Sequence, residues 1–134
     1  MDNIVLFKWE PIEIVQNDFY FISLMDNKDG LKLIFQQEQN DFALNFDFGY
    51  HCIFYQNQNE NSSLKIIDDY GINGAKWSLY YAKESKLIDE ISQNSYGIID
   101  KNELCHFIIL HADGLLNILS SEDPKVSWQV LDKI

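Results

Sequence analysis

Between residues 42 and 54 every second side chain is apolar. Phe42, Leu44, Phe46, Phe48, Tyr50, Cys52 and Phe54 share one parity; Ala43, Asn45, Asp47, Gly49, His51, Ile53 and Tyr55 share the other. A period of two marks an extended chain whose successive side chains point to opposite faces. One face is therefore buried and the other mostly wet, the pattern of an antiparallel sheet rather than a parallel one. Residues 42–54 would span about 43 Å as a single strand, which is long, and Gly49 is the natural place for a bulge or bend.

Short strands are predicted on either side. Ile4–Trp9 forms the first, bounded by Pro11. Asp18–Met25 and Leu31–Phe35 flank Asp26-Asn27-Lys28-Asp29-Gly30, whose turn chemistry makes 18–35 a hairpin. Gln36–Asp41 is a polar connection. Gln56–Ser63 is polar without an apolar anchor and reads as a loop. Ser62 or Ser63 then caps a short helix to Tyr70, with Leu64 and Ile67 inward and Gly71 at its end. Lys76–Ala82 is another strand. Glu84–Asn94 is the best helix: Ser85 caps it, Leu87, Ile88 and Ile91 share one side, and Gly97 ends it. Leu104–His111 is apolar on both faces, as a central strand would be. Ala112-Asp113-Gly114 turns the chain into Leu115–Ser120. Val126, Trp128, Val130 and Leu131 pack back or form a last strand or helix. The expected fold class is α+β, a mostly antiparallel sheet of six or seven strands with two short helices. No repeat or linker divides it, so residues 1–134 form one domain.

Charge narrows the function. The chain carries 21 acids against 10 lysines, a net charge of −11, and no arginine. Sequence-independent binding of nucleic acid needs cations for the phosphates. An anionic membrane surface needs them too. Both are disfavoured, and no guanidinium fork is present for phosphate or carboxylate recognition. The aromatic content of 14% argues against intrinsic disorder. The first ten residues hold no basic segment and only a four-residue apolar run, unlike a secretory signal, and no run approaches a membrane span. The expected address is the cytoplasm, with Cys52 and Cys105 reduced.

Catalytic and metal chemistry find little support. His51-Cys52 and Cys105-His106 are neighbours, but a regular strand aims adjacent side chains to opposite faces and cannot offer both to one ion. No CxxC or HxxxH spacing is present. A Cys52–His106 pair across strands is the one nucleophilic arrangement to check. Asp68/Asp69, Asp89/Glu90 and Glu122/Asp123 are adjacent and diverge, so none is an acid–base pair. No cofactor is expected, and the chain is not expected to be an enzyme.

The acids carry more meaning as a field, able to steer a cationic protein. Asp68-Asp69-Tyr70 is the preferred centre, because it sets charge against a helix dipole beside an aromatic residue. Glu84, Asp89 and Glu90 come second, although Glu84 and Asp89 also suit the first turn of their helix.

From residue 77 the order of pieces is Trp77-Ser78-Leu79-Tyr80-Tyr81, Glu84-Ser85, a short helix, Ser95-Tyr96-Gly97, Leu104-Cys105-His106-Phe107-Ile108-Ile109, then Gly114-Leu115-Leu116-Asn117-Ile118-Leu119. This layout resembles small α+β immunity proteins of bacterial polymorphic toxin and contact-dependent growth inhibition systems. The resemblance implies a cytoplasmic protein that binds and blocks a cognate toxin domain, often a basic nuclease. It transfers no site residue. The alternative expectation is a small-ligand-binding or homo-oligomeric assembly domain, including a homodimer paired through strand edges.

Overall fold

The alternating segment folds as two strands, not one. A computed structural model describes residues 4–13, 18–37, 41–74 and 76–130. In it, Phe42–Gly49 is one strand and Cys52–Asn59 the next. The His51 N–H donates to Phe48 O across the corner, and the Gly49 N–H donates to Asp47 Oδ1. A 13-residue strand would overrun its partners; turning at residues 49–51 lets the chain change sheets instead.

Nine strands are present among the described residues. They are β1 (Phe7–Lys8), β2 (Tyr20–Asn27), β3 (Gly30–Gln36), β4 (Phe42–Gly49), β5 (Cys52–Asn59), β6 (Leu79–Ala82), β7 (Cys105–His111), β8 (Gly114–Ser120) and β9 (Lys125–Val130). Helix α1 covers Glu60–Tyr70 and α2 covers Lys86–Asn94. The protein is α+β, with two antiparallel sheets ordered β1-β6-β7-β8-β5 and β2-β3-β4-β9. The expected six or seven strands become nine because Phe42–Phe54 splits and the tail pairs with β4 as β9. Leu131 and residues 38–40 of the Gln36–Asp41 connection lie outside the described residues.

The sheets face one another across an aromatic core. Leu33, Phe35, Leu44, Phe46 and Phe48 meet Leu79, Phe107, Ile109, Leu116 and Ile118, all essentially inaccessible. Full burial of each such side chain contributes about 1.5–3 kcal/mol. Trp9 bridges the layers, with its ring centroid 5.5 Å from Phe46 and 4.8 Å from Phe107. The helices cover the other face of the five-stranded sheet. There α1 and Ile72 pack on Ile108 and Leu115, and α2 packs on Leu104 and Leu119. A bulge between Cys52 and Phe54 reverses the parity of β5. Cys52 and Tyr55 therefore reach the inter-sheet core, while Phe54 joins the α2 side.

Several local expectations hold and several are corrected. The 18–35 hairpin forms, β7 is the middle strand of its sheet, and Ser85 caps α2 by accepting from the Ile88 N–H. The first strand is only Phe7–Lys8. Gln56–Asn59 is strand rather than loop, because pairing with β8 satisfies its backbone without help from side chains. Helix α1 follows at once, and its cap is Asn59, whose Oδ1 accepts from the Ser62 N–H, rather than Ser62 or Ser63. Its inward face is Ser63, Ile67 and Tyr70, on a 3.6-residue spacing. Leu64 lies off that stripe and is 57% exposed.

Candidate functional site

The preferred acids are placed at the end of α1. Gly71 closes that helix, and no base occupies its last turn. Asp68 and Asp69 are exposed but already engaged: Lys65 Nζ lies 2.8 Å from Asp69 Oδ2, and Asn73 Nδ2 donates to Asp68 Oδ1 at 2.9 Å. Tyr70 points the other way. Its hydroxyl donates to Asn117 Oδ1 at 3.1 Å, and its ring meets the His106 ring edge to face. Burial, and then the Asp69 charge, push its phenol up to about 12.

Tyr70 thus belongs to a network that the sequence does not reveal. His106 is fully buried, with Nε2 2.7 Å from Asn117 Oδ1 and Nδ1 2.9 Å from Ser85 Oγ. An amide oxygen only accepts, so Nε2 carries the proton. Nδ1 is then the acceptor, and the Ser85 hydroxyl donates to it. The same Ser85 oxygen accepts from the Ile88 N–H at the start of α2. Both imidazole nitrogens, Asn117 Oδ1 and the Ser85 hydroxyl each have a partner while the imidazole is neutral. Burial lowers His106 to about 4, against the opposing pull of Asn117. The network ties the C-terminus of α1 and the N-terminus of α2 to the middle of the sheet.

The thiols lie on the opposite face. Cys52 and Cys105 sit on either side of Ser120 in β8, pack against the inter-sheet core and form no disulfide. His106 is turned toward the helices, so the Cys52–His106 pair does not form. Burial raises both thiols, Cys52 to about 11. That leaves about one Cys52 thiolate in ten thousand at pH 7. Cys105 also lines the wall of a cleft at one edge of the sheet. Native Cys52 is expected to alkylate slowly with iodoacetamide at pH 7 and both thiols to label fully in denaturant; rapid native labelling at Cys52, read by peptide mass mapping, would contradict its raised thiol. Among the described residues no group of three or more His, Cys, Asp or Glu is arranged to hold a metal ion.

The second set of predicted acids is gathered by topology. Strand β6 ends, β7 begins and β8 ends at the same edge of the sheet, because Ala82 pairs with His106 and Cys105 with Ser120. The residues just beyond those ends form a cleft of about 580 Å³ lined by Glu84, Glu103, Glu122 and Asp123, with Lys83 on its wall. A smaller recess of about 200 Å³ shares Lys83 and Glu84 and adds Asp89 and Lys101. His51 extends the rim through a 3.3 Å contact to Glu122. Glu84 is therefore brought together with Glu103, Glu122 and Asp123, which sequence reasoning did not select, while Asp89 lines only the adjoining recess. Glu90 is exposed on α2 outside both cavities. The missed signal was strand adjacency: acids that follow or precede antiparallel neighbours at one end must cluster.

No helix among the described residues is long and apolar enough to cross a membrane. No protein-family profile, curated protein or solved structure matches the chain.

Proposed function

We propose that this chain is a cytoplasmic, non-enzymatic binding protein of the immunity type, which occludes a cognate cationic toxin domain, of nuclease type, through its acidic surface. The observation that carries this reading is the cleft walled by Glu84, Glu103, Glu122 and Asp123 in a chain of net charge −11. Asp89 continues the negative surface along α2, and Asp68 and Asp69 place a second acidic site at the end of α1. Lys65 and Asn73 already engage those two carboxylates, so the cleft is the stronger centre. Tyr70 supports the site from within rather than as an exposed anchor.

Charge complementarity of this kind acts mainly on the association rate and is screened by salt. The tagged protein, passed through native lysate in about 50 mM salt, is expected to retain a basic protein whose association slows roughly tenfold or more by about 500 mM salt. Glu84→Gln with Glu103→Gln should slow it further at low salt than Asp68→Asn with Asp69→Asn. Failure to retain any basic protein, or association indifferent to salt, would overturn the reading.

A further inference from the structure

A second surface feature follows the C-terminal end of α2 and is apolar. After α2 the chain forms the segment Ser95-Tyr96-Gly97-Ile98 before Ile99 turns back into the core beneath α2. Tyr96 is 96% exposed and Ile98 is 86% exposed. No other part of the described surface exposes two large apolar side chains to this degree so close together. Scattered apolar side chains on a surface need no explanation, but an adjacent, fully presented pair does.

The segment is held, not loose. The Tyr96 N–H donates to Gln93 O, the Gly97 N–H to Ser92 O and the Ile98 N–H to Ser95 O. Ser92 Oγ donates to Ile99 O at 2.7 Å, and Ser95 Oγ accepts from the Ile99 N–H at 2.9 Å. This wrapping forces Tyr96 to φ 55, a left-handed conformation that favours glycine or asparagine. A tyrosine there is unfavourable to the backbone, and its exposed ring returns almost no burial. Strain of this kind is kept where the surrounding structure fixes it and a function uses it. Tyrosine is also over-represented among the residues that dominate binding energy, and a side chain fixed before association loses less entropy on binding.

Charge identifies the partner. Residues 84–103 carry Glu84, Asp89, Glu90, Asp100 and Glu103 against Lys86 and Lys101. Glu84 and Asp89 share one recess with Lys101 and Asn102, and Asp100 is exposed two residues beyond Ile98. We infer that Tyr96 and Ile98 are the apolar anchor of this protein, inserting into a pocket on a cationic protein whose rim carries lysine or arginine. A second copy of this chain would bring acid against acid at that rim, so self-association is opposed. The inference rests on the proposed function and names the contact that gives it affinity, as the acids give it rate.

The test compares wild type with Tyr96→Asn combined with Ile98→Ser. Asparagine tolerates the left-handed backbone, so the variant is expected to melt within a few degrees of wild type or above it. The basic protein retained by wild type is identified by mass spectrometry, purified and titrated calorimetrically. Loss of the anchor should weaken it roughly thirtyfold or more, seen chiefly as faster dissociation, with the salt dependence of association unchanged. Unchanged affinity would overturn the anchor while leaving the acidic reading intact. Retention of no basic protein would overturn both. Wild type sedimenting as a dimer that the variant abolishes would overturn the anchor by assigning it to self-association.

Discussion

Gly114→Ala is expected to destabilise the protein by roughly 3 kcal/mol or more, a large share of the 5–15 kcal/mol that a domain of this size has. Gly114 opens β8 opposite Asn59 on one side and His111 on the other. A Cβ there would lie 1.8 Å from Gln58 O and within 3.0 Å of the Asn59 carbonyl carbon. Neither obstacle is a side chain that could swing away. Relief requires β5 to move off β8, and the Asn59 cap of α1 moves with it. Gly74→Ala is the control: its φ is +75 and nothing lies within 4 Å of the new Cβ. That substitution should cost only the left-handed penalty of about 1–2 kcal/mol. Urea titrations of both variants decide the matter, and equal midpoints would show that the Gly114 contact does not govern β5 docking.

The same junction shows why parts of the fold could be read from sequence and parts could not. Ser85 before Leu87, Ile88 and Ile91 is a local pattern, so α2 and its cap were legible from about seven residues. The hairpin around Asn27–Gly30 was equally local. Gln56–Asn59 was not, because its order comes from β8, whose residues lie about sixty positions away. The break at Gly49–His51 depends on how far a strand can run before its neighbours end, a tertiary quantity. The alternation holds over residues 44–48, while at the start of the strand Phe42 is exposed and Ala43 buried; its extension past Gly49 fails because the chain changes sheets and then bulges at Ile53. Composition announced the acidic surface, but only the pairing of β6, β7 and β8 places Glu84, Glu103 and Glu122 around one cleft. Tyr70, Ser85, His106 and Asn117 come from four elements, and no spacing in the sequence relates them.

That network makes the folding equilibrium sensitive to mild acid. In the unfolded chain His106 titrates near 6.5, whereas in the folded chain burial holds it near 4. Between those values the unfolded state binds a proton that the folded state refuses. Stability from this group is therefore complete above about pH 6.5, declines as the pH falls, and levels off below about 4. The total loss is roughly 3 kcal/mol. His111, also lowered by burial, acts in the same direction. His106→Gln isolates the first contribution, since glutamine offers an amide N–H toward Asn117 Oδ1 but takes up no proton. The variant is expected to be less stable at pH 7, by about 1–3 kcal/mol for the bond lost to Ser85. Its urea midpoint should nevertheless fall less steeply than that of wild type between pH 6.5 and 4, so that the two curves converge. Parallel curves over that interval would mean that the imidazole accepts a proton in place, and that the Ser85–His106–Asn117 chain does not depend on its neutrality.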